Sequence, residues 1–246
     1  MHEDLRNIPQ HMQRLGRSSL AHALTLEVSG HHGNTDYGYY QRELGVLVAA
    51  HAAEILLKAR IAEEHPLLIF SQIPKSKNDA LLEISALFEK GRTIQYQDIP
   101  ERLWATTGYK LKNLDLYKQF GDLRNNIQHF VPSESQSNLR YATLEFIFRV
   151  IDPFLQDFWG GYAVTCIEYP EYSTKHQELI EALFSWGIDF DYPEDEEYKE
   201  LVQRVGDQAN KLPNRRRDIL DRADKYNNHI MPRLWSSKPL DVSSEE

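Results

Sequence analysis

Two stretches of this chain share a skeleton, Asp-Leu-Arg-Asn followed by Gln-His, at residues 4–11 and again at 122–129. Each copy places four residues between an arginine and a histidine: Arg6 and His11 in the first, Arg124 and His129 in the second. An imidazole gains and loses a proton near neutral pH, and a guanidinium offers a planar fork of donors to an anionic phosphate. The pair therefore supplies what phosphodiester cleavage needs: a proton carrier and a charge stabiliser. In the second copy Asn125 and Asn126 stand between them, and Asn125 can orient the imidazole or the substrate.

The two copies differ in what surrounds them. Pro9 lies inside the first, and a proline within a helix loses a hydrogen bond and clashes with the preceding turn, so Arg6 and His11 cannot share one uninterrupted helix. The first copy reads as a frayed segment ahead of a helix starting near Pro9, and it is set aside as coincidence. The second copy falls late on a helix predicted from Asn113 to Phe130, where Leu116, Phe120, Leu123, Ile127 and Phe130 recur at spacings of three and four. On a helical wheel Arg124 lies roughly 80° to one side of that apolar stripe, Asn125 nearly opposite it, and His129 about 40° from Asn125. Core packing does not account for Asn125 or His129; both point away from whatever the stripe packs on. Asn and His are also indifferent helix formers, which a plain solvated face would not favour.

The elements that must position this motif read as helices. Expected are a first helix over about Ser18–Val28 and a long one over Tyr39–Glu64, ended by Pro66. The second is apolar around most of its circumference and so belongs at the centre of a bundle, with one polar stripe of Glu43, His51, Glu54 and Lys58. His51, Glu54 and Lys58 are candidates to support the cleft around Arg124. Further helices are expected over Asn78–Lys90 with Gly91 as cap, Pro100–Ala105, and Ser135–Trp159 with a kink at Pro153. Residues 160–173 read as a connector with a short extended piece over Tyr162–Tyr169, and two or three amphipathic helices fill Lys175–Leu234. The acidic run at 193–200 reads as a helix amino terminus. No regular strand series is visible. The expected fold is all-α, divided as a helical segment over 1–36, a bundle over 37–160 and a helical extension over 161–246.

Composition narrows the function further. A formal net charge of -9 over 246 residues argues against non-specific coating of nucleic acid and leaves room only for a local basic site. A single cysteine, Cys166, excludes a disulfide framework or a thiolate zinc site. His31 and His32 with Asp36 lack the spacing that converges on one ion. Arg215–Arg217 have Asp218 and Asp221 close by for helical ion pairs and read as a solvated helix start. The longest apolar run, Leu44–Ala50 with Gly45 inside it, is far too short to cross a bilayer, and the first residues lack signal-peptide character. The expectation is a soluble cytoplasmic protein. Phosphate-binding glycine loops, nucleophile elbows and paired metal-carboxylate motifs are absent from the sequence.

Arg124-Asn125-Asn126-Ile127-Gln128-His129, late on an amphipathic helix, resembles the signature of the HEPN superfamily (higher eukaryotes and prokaryotes nucleotide-binding). Residues 49–66, "AAHAAEILLKARIAEEHP", resemble the long first helix of many HEPN domains. The similarity covers about residues 37–160. It implies a four- to five-helix bundle, here with additional helices at both ends, and pairing of two domains so that two motifs share one cleft. It also implies a metal-independent endoribonuclease without cofactor, acting on RNA by 2′-OH attack. Arg124, Asn125 and His129 are the counterparts of the catalytic residues; Asn126, His51, Glu54 and Lys58 would line the substrate. Many such proteins are toxins or antiviral defence effectors with an antitoxin or other partner protein. The alternatives are a catalytically silent HEPN-like module that binds a nucleotide or a protein, and a purely structural helical interaction protein.

Overall fold

The computed structural model describes residues 3–28, 36–75, 83–129, 136–167 and 174–210. Among these the fold is overwhelmingly helical: α1 (Glu3–Arg6), α2 (Ile8–Val28), α3 (Asp36–Glu64), α4 (Ile84–Lys90), α5 (Ile99–Thr107), α6 (Leu114–Gln128), α7 (Gln136–Phe146), α8 (Asp152–Trp159), α9 (Thr174–Trp186) and α10 (Glu196–Asn210).

The centre is α3. Val46, Ala49, Ala50, Ala52, Ala53, Leu56, Leu57, Ala59 and Ile61 are fully buried, so nearly every side of its middle turns meets protein, His51 being exposed. The small alanines let neighbouring backbones come close while the leucines fill the gaps between them. Helix α2 runs along α3, α5, α6 and α7 pack on its other sides, and α9 and then α10 are added beyond α2 and the end of the bundle. One hydrophobic core extends from Leu5 to Val205, crossing the expected segment boundaries at residues 36 and 160.

The joint between α2 and α3 is polar and buried. Arg42 Nη1 donates to the carbonyls of Leu26 (2.9 Å) and Glu27 (2.6 Å), carbonyls a helix end leaves without intrahelical partners, and to Glu27 Oε2 at 2.8 Å. A cation there also answers the negative end of the α2 dipole. Glu27 is wholly buried, and burial pushes its carboxyl up to about 7 against the pull of Arg42 and Arg140. Gly45 faces this carboxylate so closely that a Cβ would occupy the place of Glu27 Oε1.

Several sequence expectations change. Helix α2 runs unbroken over Ile8–Val28: a helix does start near Pro9, which falls in the first turn where a missing N–H costs nothing, and it is the same helix that was expected only from about Ser18. A two-stranded antiparallel ribbon, β1 (Phe70–Gln72) with β2 (Arg92–Thr93), was not expected; strands of three and two residues are too short to show alternation. Helix α4 begins at Ile84 with Glu83 before it, while 78–82 lie outside the described residues, and Gly91 closes it in an extended rather than left-handed conformation. The expected Ser135–Trp159 helix is continuous from Gln136 to Trp159, with a π-turn over Ile147–Ile151 just ahead of Pro153 separating α7 from α8. Proline deprives the Arg149 carbonyl of its usual donor, and Asn113 Nδ2 donates to that oxygen at 2.7 Å. This contact pins the start of α6 to the π-turn. The connector after Gly160 forms a 3₁₀ turn (Ala163–Cys166) instead of an extended piece. Asp195 Oδ1 accepts from the Tyr198 N–H (2.8 Å), with Glu196 and Glu197 in the first turn of α10, as the acidic run suggested.

Glu27 yields a pH prediction. Its carboxyl titrates higher folded than unfolded, so its contribution to stability is fully present below about pH 4.5 and is lost as pH rises through about 7. Relative to Glu27→Gln, which cannot titrate, the wild-type protein should lose on the order of 3 kcal/mol of unfolding free energy across that window. Urea melts at a series of pH values measure this; a difference between the two proteins that does not vary with pH would refute it.

Candidate functional site

Helix α6 carries the motif, and two apolar rows fix its rotation. Phe120, Leu123 and Ile127 are buried with Leu116 half-buried; Tyr117 and Gly121 form a second buried row. Phe120 stacks on Phe146 of α7, with centroids 3.9 Å apart and planes 5° from parallel. Phe130, the last member of the expected stripe, lies outside the described residues. With α6 held in this way, Asn125 is exposed and Asn126 half-buried. The helix ends at Gln128 rather than Phe130, so His129 is the capping residue: exposed, with its backbone N–H donated to Asn125 O at 3.0 Å.

Arg124 turns the other way, toward α3. Its Nη2 stands 4.0 Å from Glu54 Oε2, and its Cζ lies 5.7 Å from the centre of the Tyr96 ring. Glu54 has a nearer partner in Lys58, whose Nζ is 2.6 Å from Glu54 Oε1 and also donates to Thr93 Oγ1 of β2 at 3.1 Å. Lys58 is only 5% exposed, so the ribbon that covers it takes it off the solvent-facing stripe expected from sequence. Glu54 is half-buried, and His51, one turn earlier on α3, is exposed. Glu43, further along the same helix, is half-buried.

Beneath Arg124 lies a tyrosine pair. The rings of Tyr96 and Tyr117 stack at 4.3 Å with planes 2° from parallel. Tyr117 Oη donates to the Tyr96 carbonyl (2.8 Å), and Tyr96 Oη to the Tyr117 carbonyl (3.4 Å). Burial holds both phenols far above their ordinary range, so they remain neutral donors; Glu54 adds to this effect and Arg124 opposes it.

The structure thus brings Arg124, Glu54 and Lys58 together and adds Thr93, Tyr96 and Tyr117. Two cations share one carboxylate, and Arg124 meets it at ion-pair distance rather than in a hydrogen bond. Such a guanidinium can turn its fork to a phosphate without first breaking a strong bond. Sequence reading missed the tyrosines. Tyr117, Gly121 and Arg124 follow one another at spacings of four and three, a signal hidden beside the stronger stripe.

The amino-terminal copy has no such setting. Arg6 ends α1, Asn7 is the turn residue between the two helices, and His11 lies on α2; the Arg6 and His11 side chains are exposed. Leu5 is buried, so the segment is docked rather than frayed. His31, His32 and Arg215–Arg217 lie outside the described residues, as does the Asp36 side chain. Among the described residues no group of three or more His, Cys, Asp or Glu side chains converges as a metal site, and no helix is long and apolar enough to cross a membrane. No protein-family model, curated protein or solved structure matches this chain.

The burial pattern separates two mutations. His129→Ala removes an exposed side chain and should cost less than about 1 kcal/mol of stability. Lys58→Ala removes the nearer of the two cations on half-buried Glu54, leaving it only Arg124 at 4.0 Å, and should cost about 2 kcal/mol. Chemical denaturation measures both; a larger loss at His129 than at Lys58 would reverse this assignment.

Proposed function

We propose that this protein is a metal-independent endoribonuclease of HEPN type, working as a homodimer whose two motifs face one cleft. The observation that carries the reading is the placement of Arg124, propped between Glu54 and the Tyr96 ring a few residues before an exposed His129. A positioned guanidinium and an outward imidazole are two of the groups that in-line attack by a ribose 2′-OH uses.

In this reading a neutral His129 takes the proton of the 2′-OH as its oxygen attacks phosphorus. The P–O5′ bond breaks, and the leaving oxygen takes a proton from a second imidazolium. The partner copy's own motif is its source, because one imidazole cannot serve both ends of the same displacement. Arg124 accepts the negative charge that builds on the non-bridging oxygens. The products are a 2′,3′-cyclic phosphate and a free 5′-OH. Asn125, on the same exposed face, orients the imidazole or the substrate, and Asn126 and His51 border the path of the strand. A role in cellular defence or as a toxin restrained by a partner protein belongs to the same proposal and rests on the motif's resemblance alone. The rival is a silent module that binds a nucleotide or protein, in which Arg124 stays on Glu54.

The test is incubation of the pure protein with RNA in excess EDTA. Cleavage should survive the chelator, fail on DNA, and stop when one 2′-deoxy ribose replaces the one at the cut site. His129→Ala and Arg124→Ala should each lower the rate by roughly 10²-fold or more, while Arg6→Ala and His11→Ala leave it unchanged. Light scattering should give a dimer at micromolar concentration. Metal-dependent cutting, or equal activity on DNA, would defeat the mechanism.

A further inference from the structure

We propose that Tyr96 is a positioning residue for Arg124: its ring face, backed by Tyr117 and admitted by Gly121, holds the guanidinium in place while leaving its N–H donors to the substrate phosphate. This rests on the ribonuclease reading above and assigns a residue outside the motif to the same site.

Three features hold the ring still. Its backbone leaves β2 into a 3₁₀ turn (Tyr96–Asp98), just after Ile94 N–H bonds to the Ile69 carbonyl at 2.9 Å. Its ring stacks on Tyr117, and each phenol is tied to the other residue's carbonyl, so neither ring can rotate out alone. Finally, the Cδ1–Cε1 edge of the ring packs against α6 at Gly121, where a Cβ would stand 2.7 Å from Tyr96 Cε1. Any larger residue at 121 would push the ring off the helix less than one turn before Arg124.

The choice of an aromatic face matters for the chemistry. A carboxylate in close contact holds an arginine by its N–H groups, the same groups a phosphate must use. A ring face attracts the cation through its quadrupole and occupies none of them. Glu54 contributes charge at 4.0 Å, beyond hydrogen-bond reach, because Lys58 holds its other oxygen at 2.6 Å. Arg124 is therefore aligned by two attractions that leave its fork open.

The experiment compares Tyr96→Phe with Tyr96→Leu in the full chain. Phenylalanine keeps the ring face, and its kcat should stay within about twofold of wild type; leucine removes the face, and kcat should fall roughly tenfold with KM little changed. In an Arg124→Ala background Tyr96→Leu should have no further effect on the rate. Independently of activity, the Arg124 side-chain N–H resonances of the wild-type protein should show a ring-current upfield shift, retained in Tyr96→Phe. Wild-type protein that shows this shift but does not cleave RNA defeats the ribonuclease reading and leaves the placement of Arg124 standing. An active protein without the shift, or a folded Tyr96→Leu with wild-type kcat, overturns the positioning role. If Tyr96→Leu does not fold, the wild-type shift and the Phe variant still decide.

Discussion

The ion pair between Lys58 and Glu54 is the constraint on which the rest of the site depends. Helix α3 is buried on nearly every side, so a lysine in its sequence is carried into the protein interior. A buried ammonium is tolerated only with a counter-charge and bonds for its remaining protons. Glu54, one turn back, supplies the charge at 2.6 Å, and Thr93 supplies a further acceptor at 3.1 Å. That arrangement fixes the Glu54 carboxylate with one oxygen engaged and the other directed toward α6, where Arg124 lies. It also binds β2 to α3, and β2 leads directly into the turn that carries Tyr96. The support for the motif arginine is therefore a consequence of how the fold neutralises a core lysine.

A second buried pair acts in parallel at the other end of α3. Arg42 closes the carboxyl end of α2 and faces Glu27, and Gly45 leaves space for the carboxylate. Asp152, also buried, receives the Ala163 N–H at 2.6 Å, and burial pushes its carboxyl up to about 6. Both acids hold junctions between helices, and both would rather be neutral. Their contributions have the same sign: as pH rises through each carboxyl's folded value, a buried charge appears and stability falls. These junctions thus favour mildly acidic conditions, whereas the proposed mechanism needs one neutral imidazole to take a proton.

How much of this was legible follows the range of the interactions involved. The central place of α3, the docking face of α6 and the outward direction of Asn125 could be read because each depends on helical periodicity alone. Glu54 and Lys58 were nominated from their own helix face, and the structure places both beside Arg124. The burial of Lys58 was not legible, since it comes from a ribbon of two very short strands whose pairing is non-local. Tyr96 was invisible for the same reason: it reaches Arg124 from a separate turn, and nothing local in "RTIQYQD" marks it. The π-turn was half legible. Pro153 announces a disturbance, but that the disturbance is a π-turn, and that Asn113 satisfies Arg149, depends on where α6 happens to start.

The repeated skeleton at residues 4–11 shows how little of a site resides in a motif. Arg6 and Arg124 have the same neighbours in sequence: Asp and Leu before, Asn after, Gln-His shortly beyond. One proline separates their fates. Pro9 forces a helix to begin, leaving Arg6 and His11 exposed on two different helices, whereas Ile127 at the equivalent place lets α6 continue and dock. Docking then presses Gly121 on Tyr96 and brings Arg124 within reach of Glu54, so the second arginine acquires a fixed position and an electrostatic setting. A side chain acquires a defined setting only when the surrounding structure limits where it can go, and here that limit is imposed by residues far from the motif: Lys58, Thr93 and Tyr96. A search for proteins built like this one should therefore look for a Glu-x-x-x-Lys on a buried helix and an aromatic residue opposite a glycine, as well as for the arginine and histidine.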